Sequence, residues 1–236
     1  MGTAQGEEAR RQVVTFTFYK VMPEWRKLPE AERRSAQAEF ADVLQKWARG
    51  SEMTVLPYCA VGLRSKFDFF LWRICYSPEC LQSMHVDMVR TQFGGYLVAE
   101  HSMLGMTRRS QYKIGSEQHR HAEAGVLEGG KHRYLTVFPY VKTRNWYQLP
   151  FEERQRIVRE FMSVPDEFPR TRMNTLYSFG IDDQDFIVIL ESDHLSDFVD
   201  MQMRLRETQN SSYTERVTPV YCGLRCTVEE LMEKVD

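Results

Sequence analysis

Three of the chain's six histidines, His119, His121 and His132, fall within fourteen residues that also carry Arg120 and Glu123. Imidazoles gathered beside a carboxylate are the raw material of a metal centre. A His-x-His pair with a third histidine eleven positions later has no diagnostic ligand spacing, however, and polar residues in a connecting segment ordinarily face solvent. No metal is expected. Five cysteines, Cys59, Cys75, Cys80, Cys222 and Cys226, are odd in number and lack the C-x-x-C spacing of zinc or dithiol redox sites. They are expected to stay reduced, free cysteine packing as a small hydrophobe. No G-x-G-x-x-G, Walker loop, H-E-x-x-H or G-x-S-x-G occurs anywhere, which removes the usual signatures of nucleotide binding, zinc proteolysis and serine hydrolysis.

The elements that must position any site are legible through a self-similarity. Residues 25–40, WRKLPEAERRSAQAEF, lie without a gap over residues 146–161, WYQLPFEERQRIVREF, at a constant offset of 121 positions. Trp25/Trp146, Leu28/Leu149, Pro29/Pro150, Glu32/Glu153, Arg33/Arg154, Glu39/Glu160 and Phe40/Phe161 are identical pairs. Each stretch follows a run of branched and aromatic residues, VVTFTFYKV or YLTVFPYVK, that favours a strand. Each then opens a helix with proline in the first turn and acidic residues behind it. The first helix is expected to stop at Gly50 and the second at Pro165. Paired strands at 55–74 and 175–191, helices at 78–93 and 194–208, and closing strands at 97–106 and 216–225 complete the order β-α-β-β-α-β twice. The fold class is therefore α+β, two ferredoxin-like units in one chain whose antiparallel sheets join into a barrel-like surface with helices outside. The N-terminal half spans 13–106, a linker 107–132 and the C-terminal half 133–236.

Composition narrows the classes. Of 236 residues 42% are hydrophobic and 12% aromatic, enough for a substantial core, while 31 basic against 33 acidic residues leave a net charge of -2. That balance offers no field to recruit nucleic acid. No apolar run reaches the ~18 residues of a spanning helix, and the polar N-terminus shows no signal-peptide core. A cytoplasmic protein is expected, without membrane or nucleic-acid partners.

A duplicated ferredoxin-like chain carrying FPYVKTRNWYQLPFEERQRIVREF in its second half resembles the chlorite dismutase family, which includes the coprohaem decarboxylases. The resemblance covers nearly the whole chain and is most specific over residues 134–179. It implies a homopentamer in which each C-terminal half holds haem or coprohaem between its sheet and its helices. Carried over position by position, it implies a pocket at Phe138, Lys142, Trp146, Phe161, Asn174, His121 and Glu207. Lys142 matches a basic residue near a propionate, Glu207 a carboxylate that orients the proximal histidine, and His121 a distal histidine of one branch. Read as residues alone, the same three are a strand-end cation, a helix-surface charge and a loop residue.

The departures concern the chemistry itself. The family's proximal histidine stands fifteen residues after the tryptophan, where this chain has Phe161, and a phenyl ring has no lone pair for iron. The redox-active tyrosine of the decarboxylases is replaced by Phe138. Tyr140 points to the same face but lies nearly 7 Å away at ~3.4 Å per residue. The arginine that holds chlorite is replaced by Asn174, with Arg172 two residues off. Met162 neighbours Phe161 but should point about 100° away around the helix. The expected function is an atypical family member with impaired or lost haem ligation, binding a weakly held porphyrin or another small ligand or serving an interaction role. The alternative is a haem-dependent oxidoreductase or decarboxylase with a non-standard axial ligand such as Met162 or His121. The cofactor is unknown, being haem or coprohaem if the family function is retained. No catalytic residue is named, and whether the protein is an enzyme stays open.

Overall fold

The computed structural model describes residues 10–112 and 127–236. Its first half runs β1 (Val13–Val21), a short 3-10 turn (Pro23–Lys27), α1 (Glu30–Arg49), β2 (Met53–Cys59), β3 (Phe69–Cys75), α2 (Pro78–Arg90) and β4 (Leu97–Met106). The second runs β5 (Tyr134–Lys142), α3 (Arg144–Gln148), α4 (Phe151–Glu167), β6 (Arg172–Tyr177), β7 (Phe186–Ser192), α5 (Leu195–Glu207), β8 (Thr214–Arg216), β9 (Tyr221–Arg225) and α6 (Val228–Val235). The two halves repeat in detail. Trp25 and Trp146 are each buried in the short helical turn ahead of the long helix. Pro29 and Pro150 each cap that helix, one position earlier than expected, and accept the N–H of Arg33 and Arg154 at 3.1 Å.

All the strands pair antiparallel, and the sheet closes on itself. Its order is β7-β6-β4-β1-β3-β2-β9-β5-β8, with β7 pairing again to β5 over Tyr134–Tyr140. Each half contributes four adjacent main strands, and two short seams join them: β2 to β9 at Tyr58↔Arg225 and Cys59↔Leu224, and β4 to β6 at Met106↔Tyr177. Because side chains alternate across a strand, one face of every strand fills the barrel. There Phe16, Phe18, Tyr58, Phe67, Phe70 and Trp72 pack with Leu135, Val137, Ile187 and Ile189. The other face lies beneath the helices.

Three local outcomes differ from the sequence reading. Helix α4 does not stop at Pro165 but runs to Glu167. In the last turn the ring removes only one helical hydrogen bond, the one that Phe161 C=O would accept, and Phe168 N–H closes the end on Pro165 C=O. The closing strand of the second half is broken into β8 and β9 by Val217–Val220, where Pro219 has no N–H for a ladder. Finally, α6 was not anticipated, although its signal is present: Thr227 and Glu230 form a capping box, each side chain meeting the other's backbone N–H. The helix packs Leu231, Met232 and Val235 into the core of the N-terminal half.

The helix-covered layers of the two halves are unequal. In the first, Trp25, Phe40, Leu44, Phe69, Met84 and Phe93 are all 0% exposed and fill the space between sheet and helices. In the second, the corresponding core is smaller, and Phe161, the counterpart of Phe40, is only half-buried.

Candidate functional site

That underfilled layer contains two clefts. One, of about 120 Å³, lies between α4 and the outer face of β5, β6 and β7. Val158, Phe161 and Met162 come from α4, with Trp146 from the turn before it; Met173, Thr175, Tyr177, Phe186 and Val188 come from the sheet. Arg108, Ser110 and Tyr112, just after β4, line its edge. The second cleft, of about 170 Å³, lies toward α5 and β8 and is lined by Phe138, Gln202, Leu205, Arg206, Thr214, Glu215 and Arg216 among others. Tyr140, Phe161 and Val188 line both. Phe161, packed edge-on to Tyr140 with centroids 6.2 Å apart, is thus part of the partition between them.

Lys142 is the chemically unusual wall residue. It is 6% exposed, and its Nζ donates to Asn210 Oδ1 and, at 3.4 Å, to Asn210 C=O. Nζ also sits 4.1 Å from the Trp146 ring centre. Asn210 in turn donates to Tyr140 Oη at 2.7 Å, and Tyr140 Oη lies 2.6 Å from Thr214 Oγ1. Among the described residues, neither the amine nor the phenol is bonded to a carboxylate. Asp185, the carboxylate that acts on Lys142, accepts the Lys142 backbone N–H and the Tyr147 hydroxyl. Burial pushes the Lys142 ammonium down to about 7, against a smaller upward pull from Asp185, and pushes the Tyr140 phenol up.

The sign of that shift yields a test. An amine whose folded pKa lies below its unfolded value leaves the unfolded chain holding more protons between about 7 and 10.5, so stability rises with pH across that window. Chemical denaturation of wild type and Lys142→Met at pH 7, 8 and 9 should show the wild type gaining relative to the variant, with a slope approaching ~1.4 kcal/mol per pH unit. Parallel pH profiles would mean that Lys142 stays fully charged in the fold.

The residues expected at a pocket divide. Lys142, Trp146 and Phe161 line the first cleft, and Phe138 lines the second, on the same strand face as Tyr140. Asn174 lines neither. It shares its strand face with Leu176, which packs inside the barrel, and the neighbouring Met173 takes the cleft-facing position. Arg172 shares Asn174's face and lies near Glu191. Glu207 is exposed at the end of α5, paired with Arg204, and the buried polar residue beside Lys142 is Asn210 instead. His121 lies outside the described residues. Met162 reaches the first cleft together with Phe161, contrary to the 100° argument, because the cleft is wide enough to be flanked by both. Asn210, Met173, Arg108, Tyr112 and Tyr177 are among the cleft residues that sequence reasoning missed.

Haem ligation fits this wall poorly. No histidine is among the described residues lining either cleft. Tyr140 and Lys142 have their polar atoms engaged by Asn210 and Thr214, and the thioethers of Met162 and Met173 line the first cleft. No cluster of three metal-ligating side chains occurs among the described residues, and all five cysteines are free. The apolar and aromatic lining suits a flat hydrophobic ligand.

The comparisons with known proteins agree with the architecture. The chain is 31% identical over 179 residues to a coproheme decarboxylase of Mycolicibacterium smegmatis, covering 75% of each chain. It is 28% identical over 226 residues to a chlorite dismutase of Ideonella dechloratans, covering 93% of this chain and 78% of that one. Chlorite dismutase from Candidatus Nitrospira defluvii, solved in complex with imidazole, superposes with a TM-score of 0.84 at 23% identity over 95% of this chain and 94% of that one. The sequence model of the family described as chlorite dismutase matches residues 33–226. By that match, which spans most of both halves, the chain belongs to the chlorite dismutase family.

Proposed function

We propose that this protein uses the family architecture for a ligand held without histidine–iron coordination, a weakly bound porphyrin or another flat apolar molecule lying between α4 and the sheet. One observation carries this reading: Phe161 occupies the helix position facing the cleft, where the resemblance calls for the iron ligand. Lys142, Trp146 and Arg108 are the residues that would orient an acidic edge of such a ligand. Self-association belongs to the proposal, as a homopentamer in the cytoplasm. It is supported by the stripe Leu195, Val199 and Met203 on α5, 45%, 60% and 63% exposed. A second reading rests on Met162, whose thioether shares the cleft and is able to ligate haem iron.

Titrating purified protein with ferric haem and with coprohaem, followed in the Soret region, separates the two. Weak binding without a histidine-type spectrum is expected. Tight stoichiometric binding whose spectrum changes in Met162→Leu would favour the second reading, and tight binding lost in His121→Ala would move the ligand to the linker.

A further inference from the structure

The N-terminal half carries a buried polar cluster at the place that mirrors the candidate site. At the offset of 121 positions, Thr15, Thr17 and Tyr19 of β1 correspond to Thr136, Phe138 and Tyr140 of β5. Their side chains lie on the helix-covered face, as do those of Phe69, Leu71 and Cys75 of β3. Arg73 stands on that face between Thr15 of β1 and Val55 of β2, its direct partners in the ladders.

Arg73 is 5% exposed. Its Nη2 donates to Thr17 Oγ1 at 2.6 Å. Its Nε and Nη1 are buried with no hydrogen-bond partner among the described residues, and so is Thr15 Oγ1, while Tyr19 Oη has at most a long contact to Thr17. The ionisable groups close enough to act on the guanidinium are Tyr19 and Cys75, and burial raises the pKa of both, so neither is an anion near neutrality. A guanidinium does not escape burial by losing its proton, as a lysine does. An unpaired ion in such surroundings is strongly destabilising, and each orphaned donor adds to that. A countercharge is called for, and no described residue supplies it.

We infer that Arg73 is the centre of a buried anion site, distinct from the cleft of the C-terminal half, that holds one small monovalent anion of halide size. The guanidinium provides the charge, and the hydroxyls of Tyr19 and Thr15 can turn their hydrogens toward the ion. The size limit comes from burial, since Arg73 is 5% exposed and Phe69 and Leu71, which share its strand face, are 0% exposed. A polyatomic anion such as sulfate would need that packing to open.

Thermal unfolding in sodium gluconate, with chloride or bromide substituted at constant ionic strength, tests the site. The melting temperature should rise by about 3 °C by about 200 mM halide, as expected for a ligand that binds only the folded chain. Sulfate, which stabilises folded chains generally, should shift wild type and Arg73→Met alike. Arg73→Met should abolish the halide dependence and Tyr19→Phe should reduce it. Crystals of the wild type grown in bromide should show one anomalous peak beside Arg73, a result that stands even if Arg73→Met fails to fold. A halide effect undiminished in Arg73→Met, or an ordinary water at the guanidinium together with a halide-indifferent melting temperature, would overturn the inference.

Discussion

Phe161→His is expected to bind ferric haem at least ~10-fold more tightly than the wild type and to acquire a histidine-type spectrum. The substitution places an imidazole lone pair on a helix face that already meets the cleft between α4 and β5–β7. It also removes the ring that packs against Tyr140 and helps divide the two clefts, one of about 120 Å³ and the other of about 170 Å³. Rescue should be partial for a stated reason. Ligating imidazoles are ordinarily oriented by a carboxylate or carbonyl on their second nitrogen. Glu207 is exposed and paired with Arg204, so it is not placed for that role, and the buried polar residue near the cleft, Asn210, is committed to Lys142 and Tyr140. Equal affinities for the two proteins, by Soret titration, would remove Phe161 from the account and leave a ligand elsewhere.

Gly223→Ala should lower the melting temperature by several degrees. Gly223 lies in β9 opposite Leu135, next to the seam where β9 meets β2. A Cβ there would stand 2.5 Å from Phe70 Cε1 and 3.0 Å from Cζ. Phe70 cannot retreat easily, because it is fully buried and stacked on Tyr58 with ring planes 3° apart. Overpacking of this kind costs ~1–3 kcal/mol, and each kcal/mol corresponds to roughly 2–4 °C in a chain of this size. Gly95→Ala is the matched control, since nothing lies within 4 Å of its Cβ. If calorimetry found both variants within a degree of wild type, the seam would be looser than the contacts describe.

What could be read in the sequence depended on how far a residue lay from an unbroken element. The gapless match from Trp25 to Phe40 over Trp146 to Phe161 locates helix positions by simple counting, and Phe161 accordingly falls at the cleft. Counting onward to β6 crosses the end of α4, the Phe168–Thr171 turn and a Pro165 that does not stop the helix. A slip of one residue there exchanges strand faces, which is why Met173 and not Asn174 meets the cleft. The same difficulty separates Glu207, still on α5, from Asn210, in the turn that follows. Arg108 and Tyr112 reach the cleft through tertiary placement alone, for which no spacing rule exists. The buried guanidinium of Arg73 is equally silent in sequence: a basic residue in FFLWRIC reads as an interruption of a core strand, and only the fold reveals that no described residue answers its charge.

The packing of α6 has a consequence for how the chain is made. Leu231, Met232 and Val235 complete the core of the N-terminal half, and Asp236 pairs with Arg33 of α1 at 2.7 Å. The barrel, too, closes only when β9 reaches β2. Although its strands and helices are all specified before residue 107, the first half therefore cannot reach its final packing during synthesis of the second. It must wait on the ribosome with apolar surface uncovered, the interval in which nascent chains are most exposed to aggregation and to chaperone capture.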